Sequence, residues 1–152
     1  VQQLNQVEAI RQAPPEHPAE KAIRRFVETA GSNLAVKDYH GAILAADKAL
    51  ELEPDNSNAL FYRAAAENLL GRYSDADRDA SRGLSIAPSA AYLRDARAWA
   101  YIRMGRFADA IADANHSLEI DPKNPYAFAN RGHALEGRGD YVAMAADLKA
   151  AA

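Results

Sequence analysis

The chain has 152 residues, of which 49% are hydrophobic and 26% are charged, values typical of one globular domain that can bury a core. Its formal net charge of −3 at pH 7 leaves no cationic surplus for a nucleic-acid backbone or an anionic lipid surface, so we expect neither as a partner. The longest apolar run, residues 141–146, has six residues, whereas a membrane-spanning helix needs about 20, so we expect no direct membrane insertion.

The composition favours helices. Alanine occurs 35 times, against five Val and one Thr. Alanine is the best helix former and β-branched residues prefer strands, so this balance predicts an all-α fold. The chain contains no cysteine, which excludes a disulfide framework, a thiolate nucleophile and cysteine-ligated zinc.

The first predicted element is a helix or linker within residues 1–17. Leu4, Val7 and Ile10 follow helical spacing, and a cluster of prolines after them breaks the chain. This segment is either a short extra helix that packs on the first unit of the following domain or the end of a linker. The domain itself is predicted over residues 18–152.

From there on, the sequence repeats every 34 residues. Six registers recur with this step, and they comprise prolines, glycines, aromatic residues, alanines and two sets of large aliphatic residues. The registers are Pro54, Pro88 and Pro122; Gly71, Gly105 and Gly139; Tyr39, Tyr73, Phe107 and Tyr141; Ala42, Ala76 and Ala110; Leu50, Leu84 and Leu118; and Leu52, Ile86 and Ile120. They divide the chain into units at about residues 23–56, 57–90, 91–124 and 125–152, and the last unit stops within its second helix.

Each unit is predicted to be a pair of antiparallel helices, because apolar residues recur at three- and four-residue spacing on both sides of a small turn. In the third unit, the first helix is expected from about Ala90 to Met104 and the second from Phe107 to Ile120. Pro122 then prevents the second helix from continuing. One such pair cannot bury its apolar face alone, so neighbouring pairs must stack.

This 34-residue helix–turn–helix pattern resembles the tetratricopeptide repeat family. The matching positions are Ala64, Gly71, Tyr73, Ala76, Leu84 and Pro88; Ala98, Tyr101, Gly105, Phe107, Ala110, Leu118 and Pro122; and Phe128, Gly132, Gly139 and Tyr141. The first unit matches least, with Lys37 where the turn glycine usually lies. The resemblance implies a right-handed α-solenoid of three complete repeats and a truncated fourth. It also implies a non-catalytic protein–protein interaction module, an adaptor or scaffold, rather than an enzyme.

In three units an Arg is followed 16 residues later by an Asp. The pairs are Arg63 with Asp79, Arg97 with Asp113, and Arg131 with Asp147. The first unit lacks both members, since Thr29 and Ala45 stand at the same places. We predict that each pair forms a salt bridge between the two helices of its unit.

The resemblance further implies that the first helix of every unit lines a concave groove that binds a peptide of a partner protein. Carried onto this sequence, the inward-facing positions give nine candidate groove residues. They are Phe61, Tyr62, Asn68, Tyr92, Trp99, Arg103, Tyr126, Asn130 and His133. Aromatic side chains offer large rigid contact area, and the polar ones can hydrogen-bond a polypeptide. Alternatively, some of the rings, Phe61 in particular, pack between adjacent units and hold the solenoid together.

Chaperone-binding members of the family hold the C-terminal carboxylate of their partner with two Lys, two Asn and one Arg, because a buried carboxylate needs several charge-assisted donors. The equivalent places in this sequence hold Val27, Gly31, Tyr62, Tyr92 and Ala96. One unit further along, Asn130 alone matches. We therefore expect a less charged, more hydrophobic partner segment and no carboxylate clamp.

Other motifs indicate no metal, cofactor or catalytic site. The alternating carboxylates of Asp75, Asp77 and Asp79 lack the Gly and the Glu that a calcium loop requires. The four His do not have the spacing of a helical zinc site, and no phosphate-binding loop or nucleophile motif occurs.

Two alternative functions stay open. One is self-association, or a scaffold, through an uncapped end of the stack at Met144 and Leu148, and the other is a regulatory arm of a larger protein. The chain begins at Val1, so we expect an excised or processed segment. Thirteen Arg against five Lys, with abundant Ala, are typical of a GC-rich bacterial genome, and the expected compartment is the cytoplasm or periplasm.

Overall fold

A computed structural model describes residues 16–151, apart from the side chains of residues 148, 150 and 151, and contains eight α-helices in that range. The helices are α1 (Pro18–Ala35), α2 (Tyr39–Leu52), α3 (Ser57–Leu69), α4 (Tyr73–Ile86), α5 (Ala91–Arg103), α6 (Phe107–Ile120), α7 (Pro125–Gly137) and α8 (Tyr141–Ala151). The predicted all-α fold of tandem helix pairs is confirmed. The helix or linker predicted within residues 1–17 lies, up to residue 15, outside the described residues.

The helices pack as a curved stack. Consecutive helices contact each other throughout, and each first helix also contacts the first helix of the next unit, so that α1, α3, α5 and α7 form a continuous series. In the described part of the chain, no contact joins one second helix to the next. The first helices are therefore closer together than the second helices, and the stack curves with the first helices on its inner, concave side.

A backbone turn with positive φ closes each helix pair. Gly71, Gly105 and Gly139 have φ angles of 78°, 74° and 79°. Glycine adopts this region without the steric cost that a Cβ atom brings. Lys37 stands at the same place in the first unit and has a φ of 64°, so the turn keeps its geometry there although a side chain strains it.

Small side chains dominate the core. Ala64 and Ala98, one in the first helix of each of the two middle units, are fully buried, and Leu60 and Leu93 are fully buried where neighbouring units meet. Alanine lets two helix axes approach closely, and leucine fills the wider space between units. No helix within residues 16–151 has the length and apolar character needed to span a membrane. At the last unit, Met144 is half-buried, and the side chain of Leu148 lies outside the description.

The three predicted Arg–Asp salt bridges are confirmed, and each is bidentate. In every pair, the guanidinium donates two hydrogen bonds to the carboxylate, at 2.5–2.9 Å. The three aspartates, Asp79, Asp113 and Asp147, are buried, with residue exposures of 2%, 4% and 7%. Such fork-shaped, charge-assisted pairs are the strong form of the ion pair, because both oxygens are satisfied in one plane.

Each of these arginines also makes a third contact, which the Arg–Asp spacing does not reveal. Nη1 donates to a side chain 16 residues earlier, on the second helix of the preceding unit. The acceptors are Asp47 at 2.7 Å, Ser81 at 3.0 Å and Asn115 at 2.8 Å. One guanidinium therefore ties together three helices from two adjacent units. We call this series of contacts the arginine ladder.

Removing one arginine of the ladder should destabilise the whole stack. In Arg97→Ala, the buried Asp113 loses its bidentate partner, so we expect the free energy of unfolding to fall by about 2–4 kcal/mol. Urea denaturation followed by circular dichroism measures this change. Arg78→Ala is the matched control, because Arg78 is 67% exposed in its ion pair with Asp75 and its loss should change stability by about 0–1 kcal/mol. Equal losses in the two variants would contradict the role of the ladder.

Glu67 lies next to the ladder and carries a poorly compensated carboxyl group. It is 6% exposed, and its Oε2 atom has no hydrogen-bond partner in the structure. Burial, together with the negative charge of Asp79, raises the pKa of Glu67 to about 8, although Arg63 opposes the shift. The carboxyl group is therefore largely protonated at neutral pH in the folded protein.

This raised pKa predicts how stability depends on pH. Above the ordinary Glu pKa of 4.5 the folded chain holds a proton that the unfolded chain has released, so stability falls as pH rises from 4.5 to about 8. The slope from this one group is at most about 1.4 kcal/mol per pH unit. Glu67→Gln should remove that slope, as measured by urea denaturation at several pH values in this window. Parallel pH profiles for the wild type and the variant would contradict the assignment.

Candidate functional site

The nine candidate groove residues all lie on the three first helices α3, α5 and α7. Within this set, the structure brings together one aromatic group near the start of these helices and one Trp–His pair further along them. Both amides of the set, Asn68 and Asn130, are buried inside the fold, and Arg103 lies away from both groups.

The aromatic group is centred on Phe61. Its ring centroid lies 5.2 Å from that of Tyr62 and 5.0 Å from that of Tyr92, with tilted and edge-to-face geometry. Phe61 is half-buried and also packs on a buried cluster at the junction of α4 and α5 that includes Leu84 and Leu93. It therefore contributes both to the packing between units and to the concave surface.

Phe61, Tyr92 and Tyr126 line a cleft of about 230 Å³ together with Asp95, and we call it the aromatic cleft. Tyr92 is 37% exposed and Tyr126 is 72% exposed, so both rings are open to a ligand. The Tyr92 hydroxyl donates to Oδ1 of Asn58 at 3.1 Å, which holds its ring in place.

Asp95 is the charged member of the cleft. It occupies one of the inward-facing positions that the resemblance implies, although it is not one of the nine candidates. Ser117 Oγ donates to its Oδ1 at 2.8 Å, and Asn124 Nδ2 donates to its Oδ2 at 2.7 Å. Oδ1 of Asn124 accepts from the backbone N–H of Tyr126 at 3.0 Å. Burial raises the pKa of Asp95, and the hydrogen bonds from Asn124 and Ser117 oppose the shift. The network thus fixes the start of α7, and with it Tyr126, relative to α5.

Trp99 and His133 form the second contact group on the concave side. Their ring centroids are 6.4 Å apart with an interplanar angle of 74°. Trp99 is 36% exposed, and His133 Nδ1 lies 3.7 Å from a carboxylate oxygen of Glu136. The pair joins α5 to α7 and leaves part of the indole accessible.

Arg103 lies at the end of α5 that is far from the aromatic cleft. Its Nε donates to the Tyr73 hydroxyl at 3.1 Å, and its guanidinium lies 5.5 Å from the centre of the Tyr73 ring. This side chain is exposed but is engaged with the start of α4.

Asn68 and Asn130 are buried, at 6% and 7% exposure. Asn68 Nδ2 donates to the backbone carbonyl of Ala96 at 2.8 Å, and Asn130 Nδ2 donates to that of Asp95 at 3.1 Å. Both amides therefore link their own helix to α5. Helical position alone could not reveal this, because an amide at an inward register can face either a ligand or the neighbouring backbone.

The concave side offers rings, one half-buried carboxylate and hydrogen-bonding groups at its margins. Among residues 16–151, no three His, Asp or Glu side chains are placed to hold a metal ion together. The arrangement suits contact with a polypeptide, since the rings supply apolar area on a rigid frame.

Family models of the tetratricopeptide repeat match the sequence at residues 45–78 and 91–124. No curated protein sequence matches the chain. The first range joins the end of the first predicted unit to most of the second, and the second range coincides with the third predicted unit.

Solved structures of similar fold include several tetratricopeptide repeat proteins. MamA of Desulfovibrio magneticus RS-1, from residue 41 to its end, is 18% identical over 85% of this chain and 73% of that chain, with a TM-score of 0.75. A thermophilic protein of Thermus thermophilus is 18% identical over 85% and 72%, with a TM-score of 0.79. The first repeat domain of Spaghetti (RPAP3), bound to an HSP90 peptide, is 19% identical over 78% and 94%, with a TM-score of 0.74. At these identities, the likeness shows the fold alone.

The contrast between buried and exposed candidates predicts different effects on stability. Asn130→Ala should lower the free energy of unfolding by about 1–2 kcal/mol, because the Asp95 carbonyl loses its donor. Tyr126→Ala should change it by less than about 0.5 kcal/mol, because the ring is 72% exposed. Urea denaturation of both variants checks the order, and a larger loss in Tyr126→Ala would contradict these positions.

Proposed function

Because the chain belongs to the tetratricopeptide repeat family, we propose that its concave side binds a peptide segment of a partner protein and that the module is non-catalytic. The tetratricopeptide repeat is a protein–protein interaction module. The observation that carries the proposal is the concentration of accessible aromatic rings on α5 and α7, namely Tyr92, Trp99 and Tyr126.

These rings have the properties of binding residues. They are 36–72% exposed, although each has a large apolar surface that water solvates poorly. The hydrogen bond to Asn58 holds the Tyr92 ring, and the contact with His133 holds Trp99, before a ligand arrives, so these two side chains lose little entropy on binding. A concave surface also contacts an extended or helical segment along more of its length than a flat one does.

The ligand we propose differs from that of a carboxylate clamp. The Spaghetti domain among the similar structures is bound to an HSP90 peptide, but this chain lacks the basic residues of a clamp at the equivalent places. At one of them, Gly31, an added Cβ atom would lie 3.0 Å from the Tyr62 ring, so a longer side chain would displace that ring. A segment that is less charged and more hydrophobic than the ligand of a carboxylate clamp suits this side.

The test selects ligands first and then perturbs the groove. A random peptide library displayed on phage is selected against the wild-type chain, and the enriched peptides are titrated by fluorescence anisotropy. Trp99→Ala should weaken binding about tenfold or more, as truncation of a central aromatic residue does at interfaces. Tyr62→Ala should weaken it less, because the half-buried Tyr62 ring also packs on Ala30, Ala45 and Ala46. Circular dichroism should show unchanged helicity.

Tyr141→Ala is the matched control, because Tyr141 is 63% exposed on α8, outside the concave side. It should leave peptide affinity unchanged. Peptides that bind Trp99→Ala and Tyr62→Ala as tightly as the wild type would refute the groove assignment, as would a failure to enrich any peptide.

A further inference from the structure

We propose that the aromatic cleft binds a basic side chain, Arg or Lys, of the segment that occupies the concave side. This inference rests on the proposed function and names the chemistry of one contact within it. The cleft combines the rings of Phe61, Tyr92 and Tyr126 with the carboxylate of Asp95. A cation on a long aliphatic stem is the ligand group that satisfies both the rings and the charge.

The first argument is that the charge of Asp95 is unbalanced. The buried aspartates of the arginine ladder each have a bidentate Arg partner, whereas Ser117 and Asn124, both neutral, hold the oxygens of Asp95. No Lys or Arg of the described residues forms an ion pair with it. A half-buried carboxylate without a counter-charge is costly, and a ligand cation would lower that cost.

The second argument is the sign of the surrounding potential. The charges of Asp113 and Asp121 both disfavour the ionised form of Asp95 and so raise its pKa, in addition to the larger effect of burial. Arg94 and Arg97 lie near Asp113 and are oriented toward it, at 3.7 and 2.7 Å, rather than toward Asp95. The charges that act on Asp95 are therefore negative, and they favour a cation beside it.

The third argument is the set of rings. A guanidinium or ammonium group is attracted to an aromatic face, and the aliphatic stem of Arg or Lys packs along rings while its head remains polar. The fold already uses this pairing, since the guanidinium of Arg106 lies 4.2 Å from the centre of the Tyr101 ring. Tyr126, which is 72% exposed, offers a ring of the same kind without such a partner among the described cation–ring contacts.

Other side chains fit the cleft less well. An aliphatic side chain would contact the rings but would remove water from Asp95 without replacing its interactions. An acidic side chain would be repelled by the same carboxylate. The choice of a cation thus follows from Asp95, and the choice of a long stem follows from the rings.

The experiment compares three blocked alanine peptides that carry a central Arg, citrulline or Leu. Citrulline has nearly the shape of Arg but no charge. In NMR titrations of the ¹⁵N-labelled chain, we expect the Arg peptide to shift the amide signals of Tyr92, Asp95 and Tyr126. The citrulline and Leu peptides should bind at least about fivefold more weakly.

Two variants assign this preference to the cleft. Asp95→Asn should abolish the advantage of Arg over citrulline, whereas Asp109→Asn should preserve it. The Asp109→Asn substitution removes one negative charge, as Asp95→Asn does. Asp109, however, is 52% exposed and lies at the start of α6, at the end of the α5–α6 pair that is far from Asp95. If Asp95→Asn disturbs the hydrogen bonds of Asn124, Tyr126→Leu is the test variant instead. It removes a highly exposed ring, so it should also reduce the preference for the Arg peptide.

Equal binding of the three peptides, or tighter binding of the Leu peptide, would overturn the inference and make the cleft a neutral apolar site. Shifts confined to the surroundings of Trp99 would overturn it as well. Neither result would affect the proposed function, which fails only if library-selected peptides ignore Trp99→Ala and Tyr62→Ala or if no peptides are selected.

Discussion

The stack depends on the hydrogen bonds that the guanidinium groups of the arginine ladder form between helices. Each of Arg63, Arg97 and Arg131 is clamped to the aspartate of its own unit and reaches the second helix of the unit before it. A helix pair cannot bury its apolar face alone, so the contact between units must be specific in angle as well as favourable in area. A planar, bidentate ion pair fixes the angle between units. Contacts between alanines let the helices approach closely but do not fix that angle.

The stacking of the helices determines which side chains meet on the concave side. Because the first helices touch and the second helices do not, side chains of α3, α5 and α7 converge. Asn68 and Asn130 bond to carbonyls of α5 and hold these helices in fixed relation. The Tyr92 and Trp99 rings on these helices are therefore preorganised for a ligand, and Ser117 and Asn124 hold Asp95 in the lining of the cleft.

Much of the fold could be predicted because the residues that specify it recur every 34 positions. The 34-residue step located every turn, and the Arg–Asp spacing located three salt bridges. Lys37 shows the limit of the pattern, since the turn forms there without glycine. For the site, helical register placed the nine candidates on the first helices but could not separate the buried Asn130 from the exposed Tyr126, because burial depends on the neighbouring helix and not on the residue's own.

The sequence by itself determined the helical class, the 34-residue succession of helix pairs and the partners of the ladder within each unit, because these follow from local propensity and from fixed spacing along the chain. Only the tertiary structure decided the third contact of each arginine, the packing of Phe61 between units and the meeting of Asp95 with Ser117 and Asn124. These contacts depend on the distance and angle between units, which are set by how whole side-chain surfaces fit together.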